Sequence, residues 1–410
     1  MNVPLYTYGT GNPGAATSKF LPVFGPAGAS GNWTGSESRA QTEMETSGTF
    51  SNLAVYVESN TTTGTTTIRM RINGANGNSV VTFTTGTGWQ EDASNTDSLD
   101  NDEKVNYSYV GPTTITALSI IGPQGLFAPS GTVNPFSSLL MDWNGTTTDQ
   151  YFPISSQSNG FGTTEGNFQT NVPFAATLQK CWTNNDINSR TGGTNDVIRS
   201  RINGGNGNIA VTLTLGAAAE YEDTSNTDSI TAGDLVCLMF DANATSGRSN
   251  NRGIRIELSA TDNVLFTGTR DGLGNNDADS YIPIRGLSGR QGSTQDTETN
   301  VQHRTDIAFT WSHLWGNSVL GVTNTIVIRT RINAGNGNQS ITWTGASGER
   351  EDTSNTDAVA IGDLVNHFND STAGSGIVNN LSSMIAAGVA AGVVSKNLFV
   401  KQAVNRASTY

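Results

Sequence analysis

The sequence predicts an all-β protein built from three tandem antiparallel β-sandwich modules, and three observations predict it. One eight-residue phrase recurs almost unchanged: RINGANGN at 71–78, RINGGNGN at 201–208 and RINAGNGN at 331–338. The recurrence is domain-sized, since Arg69, Arg199 and Arg329 stand 130 residues apart each time, whereas solenoid units repeat every 20–50 residues or roughly so. The composition is rich in Gly, Thr, Asn and Ser and poor in long helix-forming runs, which favours strands and turns. A chain of 410 residues has ample length for several cores.

Each copy opens on an aromatic-apolar-Pro strand, FLPVFG at 20–25, YFPISS at 151–156 and YIPIRG at 281–286. Proline there marks an edge or first-strand position, because it cannot donate to a ladder. A polar segment with a shared Glu follows, SESRAQ at 36–41, TEGNFQ at 164–169 and TETNVQ at 297–302. Next comes an alternating apolar run read as an inner strand, FSNLAVYVESN at 50–60, AATLQKCWTNN at 175–185 and DIAFTWSHLWGN at 306–317. In TTIRMRING, Ile68, Met70 and Ile72 alternate with Arg69 and Arg71, so one strand face is buried and the other carries guanidinium groups. Asn-Gly then accepts the positive φ of a tight reversal. VTFT at 81–84, VTLT at 211–214 and ITWT at 341–344 complete a hairpin in which Thr is expected opposite Arg. The phrase recurs because a one-residue slip would turn each core side chain outward.

After the hairpin come EDASNTD at 91–97, EDTSNTD at 222–228 and EDTSNTD at 351–357, expected as turns and closed by Asp102, Asp234 and Asp363 before an apolar strand. A last strand such as TALSII at 116–121 or IRIELS at 254–259 brings each copy to about seven to nine short strands, the spacing of a sandwich or jelly roll. The expected divisions are an N-terminal arm at 1–18, modules at 19–142, 143–272 and 273–385, and a C-terminal tail at 386–410.

The net charge of −13 repels a phosphate backbone, so nucleic acid is not an expected partner. The start, MNVPLYTYGTGNPG, has no basic and apolar leader pattern, and the expectation is synthesis in the cytoplasm without export. The apolar stretch MIAAGVAAGVV at 384–394 is too short for a bilayer of roughly 30 Å, so no membrane span is expected. Cys181 and Cys237 are read as two buried free thiols, with a single bridge as the alternative.

The series of apolar-Pro strand, Thr-Glu segment, R-x-R-I-N-G hairpin, S-N-T-D segment and G-D before a final strand resembles small jelly-roll modules of tailed-bacteriophage virion proteins. These are similar to the tumour-necrosis-factor and complement-type trimeric jelly roll, and the likeness runs from about Phe20 to about residue 385. It implies capsid decoration, a head fibre or a tail-associated part in the virion, gripping the major capsid protein or other virion proteins, with no catalytic residues to carry over. Three modules in one chain imply either a pseudo-threefold unit or a homo-oligomer. The N-terminal arm and the basic tail, with Lys396, Lys401 and Arg406, are the expected grips.

His303, His313 and His367 lack zinc-like spacing with cysteine. No G-x-S-x-G elbow or Walker A loop occurs, and GTGNPG at 9–14 has a Pro inside and no strand pattern before it. The expectation is no enzyme and no resident cofactor. Glu91, Asp92 and Asp97, with Glu222, Asp223 and Asp228, and Glu351, Asp352 and Asp357, are the candidate metal ligands, since three carboxylates with Asn and carbonyl oxygens can cage calcium. The other reading is that these Asp residues bond their own backbone and the hairpin Arg neutralises the rest. Trp182, Trp311, Trp315 and Trp343 are expected in the core, whereas Trp33 and Trp89, in polar surroundings, are candidate glycan contacts. A carbohydrate-binding or adhesive protein is therefore the alternative function.

Overall fold

The computed structural model describes residues 3–8, 18–26, 34–112, 118–130, 133–138, 141–154, 161–260, 264–269, 280–282, 298, 302–305, 308–320, 325–371 and 377–386. Among them strands dominate, and the only helical pieces are single 3-10 turns such as Glu37–Arg39 and Glu165–Asn167.

The first third contributes β1 (Val3–Tyr8), β2 (Lys19–Pro22), β3 (Phe24–Pro26), β4 (Thr42–Met44), β5 (Gly48–Asn60), β6 (Thr66–Ile72), β7 (Ala75–Phe83), β8 (Gly88–Leu99), β9 (Glu103–Val110) and β10 (Leu118–Pro129). They form two sheets, β3-β1-β10-β5-β8 and β2-β9-β6-β7, with β4 also on β9. The second third contributes β11 (Val133–Ser138), β12 (Met141–Asn144), β13 (Gln150–Phe152), β14 (Thr170–Val172), β15 (Ala176–Asn188), β16 (Thr191–Gly193), β17 (Asp196–Ile202), β18 (Gly205–Leu213), β19 (Ala219–Ile230), β20 (Asp234–Asp241), β21 (Ala244–Ser246) and β22 (Arg248–Ser259). Here the sheets are β11-β22-β15-β19 with β12 on β22, β13-β20-β17-β18 with β14 on β20, and a small β16-β21 pair. The last third contributes β23 (Val264–Thr269), β24 (Ser280–Ile282), β25 (His303–Arg304), β26 (Phe309–Leu320), β27 (Thr325–Ile332), β28 (Gly335–Thr344), β29 (Gly348–Val359), β30 (Leu364–Ser371) and β31 (Ile377–Ala386). Its sheets are β23-β31-β26-β29 and β24-β30-β27-β28, with β25 on β30.

One strand order thus occurs three times. In each third the first strand pairs with the last, and the repeated phrase forms a hairpin within one sheet, β6–β7, β17–β18 and β27–β28. Buried apolar residues cluster within thirds. One cluster runs from Leu21 to Phe127 and includes Ile68, Met70, Val81 and Phe83; another runs from Trp143 to Ala260; a third joins Ile282, Leu314, Ile326, Ile328, Ile341 and Trp343. These are the inward positions of the alternating strands, where each buried aliphatic side chain contributes about 1.5–3 kcal/mol by transfer from water.

The strand partners move the expected divisions. Val3–Tyr8, within the stretch read as an arm, pairs antiparallel with β10 and parallel with β3. Likewise β11, assigned by sequence to the end of the first module, and β12, which straddles the expected boundary at 142/143, pair with β22, and β23 pairs with β31. These first strands carry no shared phrase, so in the sequence the repeated Pro strand reads as the beginning. The SNTD segments are not turns but the middles of the long strands β8, β19 and β29, each of which bulges there. Thr does not stand opposite Arg either: Arg69 faces Val80 and Arg71 faces Asn76, while Thr67 faces Thr82. In the first copy Glu103, not Asp102, takes the place of Asp234 and Asp363, since it receives the side chain of the turn Asn.

The hairpin tips explain Asn-Gly. Asn73 and Gly74 have φ of 49° and 78°, and Asn203 and Gly204 have 51° and 80°, the left-handed pair of a tight two-residue reversal. The third copy places Ala334 there at φ 63°, where the Cβ costs about 1–2 kcal/mol. Ala334→Gly is therefore expected to stabilise the last third by about 1 kcal/mol, seen as a higher denaturant midpoint for the unfolding of that third.

Candidate functional site

Three constructions use the polar residues that the sequence singles out. The first is a carboxylate stitch between the sheets. Strands β7 and β8 are edges of opposite sheets, and an open edge leaves a row of unmade backbone bonds. Asp97 accepts the N–H groups of Asn78 at 2.5 Å and Ser79 at 3.0 Å, and Asp92 accepts that of Val80 at 2.8 Å. Asp92 also turns its other oxygen to the N–H groups of Ser94 and Asn95, 3.2 and 3.1 Å away, which holds the bulge. The same stitch joins Asp223 to Ala210 and Asp228 to Asn208, and Asp352 to Ser340 and Asp357 to Asn338. All six Asp side chains are buried. Close approach of the carboxylate also fixes the second Gly of the phrase, because a Cβ on Gly77, Gly207 or Gly337 would lie within 2.7 Å of the facing Asp oxygen.

The second is an Arg–Glu clamp beneath the hairpin tip. Arg201 meets Glu165 through two parallel bonds of 3.0 and 2.8 Å and also caps Gly204 O and Asn206 Oδ1. Arg71 with Glu37 and Arg331 with Glu298 repeat it. The shared Glu of the polar segment is thus the partner of the second Arg, and the Arg does not neutralise the S-N-T-D acids. Because a Lys ammonium cannot reproduce the planar fork, Arg201→Lys is expected to cost about 1–2 kcal/mol by denaturant unfolding, with Glu165→Gln close behind.

The third is a charged junction between the first and second thirds. Arg255 and Glu257, both on β22 and fully buried, pair at 2.5 Å. Arg255 also donates to Glu43 O, while Thr46 Oγ1 donates to Glu257 at 3.1 Å. Lys180, at φ 51° on the bulge of β15, donates to Glu45 O. Lys104 meets Glu220 at 2.6 Å. Between the second and last thirds, Asn317 Nδ2 donates to Gly166 O at 3.3 Å, and β14 packs against β23 and β31.

The nine acidic candidates therefore divide. The Asp of each set turn inward and receive N–H and hydroxyl donors. Glu91, Glu222 and Glu351 are exposed; Glu351 lies 3.8 Å from His313. The three acids of one set do not converge on a common point. Glu222 instead converges with Glu43 and Glu45 of the first third, their carboxylate oxygens lying within 4.8 Å of one another. Glu222 is a candidate from the sequence, whereas Glu43 and Glu45, with Lys180, Arg255 and Glu257, are not common to the three copies and carry no repeated signal. The signal for Glu43 and Glu45 is a departure: TEME at 42–45 stands where the second copy has TNVP at 170–173. Trp182, Trp311, Trp315 and Trp343 are buried as expected, and Cys181 and Cys237 are buried free thiols. Trp89 is half-buried on β8 with its ring edge-on to Tyr56, centroids 5.5 Å apart. Trp33 lies outside the described residues, as do GTGNPG and the basic tail.

Electrostatics oppose each other at the stitch and the junction. Burial alone would raise the Asp92 carboxyl, but the donors on Val80, Asn95 and Ser94 together outweigh it and hold it at about 2; Asp223 and Asp352 are lowered in the same way. Burial first, then the charges of Glu220 and Glu45 against Lys104, push Glu43 up to about 7, and burial also raises Glu45. A lowered carboxyl contributes stability above its unfolded value that is lost as pH falls through the folded one; a raised carboxyl contributes below its unfolded value and loses it as pH rises through the folded one. Melting in a chelator should therefore show stability rising as pH falls from about 7 towards 4.5, the ordinary Glu value, then falling from 3.8 towards about 2. A melting temperature that climbs steadily from about pH 4 to about pH 8 would contradict this assignment.

No known family profile matches the sequence, and no curated protein matches it.

Proposed function

We propose that this chain is a non-enzymatic structural protein of a tailed-phage virion, a capsid decoration or head-fibre component in which three jelly-roll modules in one chain do the work of a trimer. The observation that carries it is where the recurring polar residues go: Asp to edge backbone, Arg to Glu, Asn to turn, so that the shared signature maintains shape. Contacts between thirds run in one sense, the β4 side of the first onto β15 and β22 of the second, and β14 of the second onto β23 and β31 of the last. Ala54, Gln124 and Leu126 of the first third stand where Trp182, Arg255 and Glu257 stand in the second, and they are buried too. That burial supports a closed pseudo-threefold ring.

Two measurements test the reading. Light scattering should give a monomer of 43.1 kDa, and peptides of this chain should be recovered from purified virions, with the isolated protein rebinding particles that lack it. Because Val3–Tyr8 is a strand, the tail at 396–410 is the better grip to delete. Absence from virions together with turnover of a polysaccharide would overturn the proposal. The alternative, a glycan-binding protein, draws on the half-exposed Trp89–Tyr56 pair; a glycan-array signal abolished by Trp89→Ala would select it.

A further inference from the structure

We propose that Glu43, Glu45 and Glu222 form a divalent-cation site, with calcium as the natural occupant, that ties the first third of the chain to the second. Their carboxylate oxygens lie within 4.8 Å of one another, which is the spread of ligands that all stand about 2.4 Å from one ion. Two come from the segment after the 3-10 turn of the first third and one from β19 of the second, so an ion would bridge the thirds.

A group of acids can be an ordinary surface feature, and a second observation separates this one. Glu45 is 2 % exposed, and its Oε1 is buried with no hydrogen-bond donor. The nearest cation, Arg255 Nη1, is 3.9 Å away, and that guanidinium is already committed to Glu43 O and Glu257. Lys180 is engaged by Glu45 O and Thr46 Oγ1, and Lys104 by Glu220 at 2.6 Å, with Glu43 farther off at 4.0 Å. A buried carboxylate oxygen without a donor carries a large desolvation penalty, and a hard cation with waters completing its shell removes it. Burial and the neighbouring acids raise Glu43 and Glu45 against the opposing charges of Lys104 and Arg255, as expected where buried carboxylates crowd; protons and calcium would compete for the oxygens.

The site belongs to one junction. The positions of Glu43 and Glu45 are Asn171 and Pro173 in the second third, so the neighbouring junction lacks two of the three ligands. Glu351, the counterpart of Glu222, serves as the internal control.

The test is calorimetric titration of the full-length, chelator-treated protein with calcium chloride at mildly alkaline pH, paired with thermal melting with and without the ion. The expected result is one calcium ion per chain and a higher melting temperature. Glu45→Gln and Glu222→Gln should each weaken binding about tenfold or more, and Glu351→Gln should leave it unchanged. Near-UV circular dichroism of each variant checks that it is folded; if Glu45→Gln fails to fold, the exposed Glu222→Gln decides alone. No binding by the wild type at millimolar calcium, or equal binding by Glu222→Gln, overturns the site. The stoichiometry does not depend on virion location, so failure here leaves the functional proposal standing.

Discussion

Asp228→Ala is expected to destabilise the second third by about 3–5 kcal/mol, since each hydrogen bond to a charged acceptor contributes about 1.5–3 kcal/mol. Asp228 is 2 % exposed and accepts the N–H of Asn208 at 2.6 Å and the hydroxyl of Ser200 at 2.5 Å. Alanine would orphan both donors and open the seam between β18 and β19, which are edges of different sheets. Denaturant unfolding monitored by Trp fluorescence reads the loss. Asp97→Ala and Asp357→Ala should behave alike in their own thirds, because Asn78 and Asn338 meet them at 2.5 and 2.6 Å. A loss below about 1 kcal/mol would mean that water replaces the carboxylate and that the stitch is incidental.

Arg255→Ala is expected to cost about 3–5 kcal/mol and to loosen the first third from the second, because it strands a buried anion. Glu257 is 0 % exposed, and without Arg255 it keeps, among the described residues, Thr46 at 3.1 Å and Lys180 at 3.9 Å. The double change Arg255→Met with Glu257→Leu should recover most of the stability, since removing both charges removes the desolvation cost along with the attraction. The check is the denaturant midpoint combined with limited proteolysis of the segment joining β10 to β11. If the single variant is as stable as the double one, the pair is not what holds this junction.

The same residues show how far the sequence could be read. Alternation in TTIRMRI and VTFT predicted the hairpin and its buried face, and Ile68, Met70, Val81 and Phe83 are buried. Asn-Gly predicted the reversal, and the φ values at Asn73 and Gly74 agree. These features are local and reach only a few residues along the chain. The partner of Arg71 was not legible, because Glu37 lies 34 residues away and meets it only when the 3-10 turn between β3 and β4 is brought to β6. The S-N-T-D acids were legible as a set and one of their two readings was bonding to their own backbone, which Asp92, Asp223 and Asp352 do with one oxygen; the bonds to a strand of the other sheet were not legible.

Repetition revealed the residues held in common and hid those that were not. Comparing copies drew attention away from Glu43, Glu45, Lys180, Arg255 and Glu257, whose counterparts differ in the other thirds. By itself the sequence determined the all-β class, the threefold repetition, the hairpin with its reversal and the identity of the buried strand faces, because side-chain alternation and turn chemistry act over a few residues. Only the tertiary structure decided which first strand joins which sheet, where each carboxylate finds its donor and how one third meets the next, because those contacts close gaps of tens to more than two hundred residues and depend on how the sheets stack.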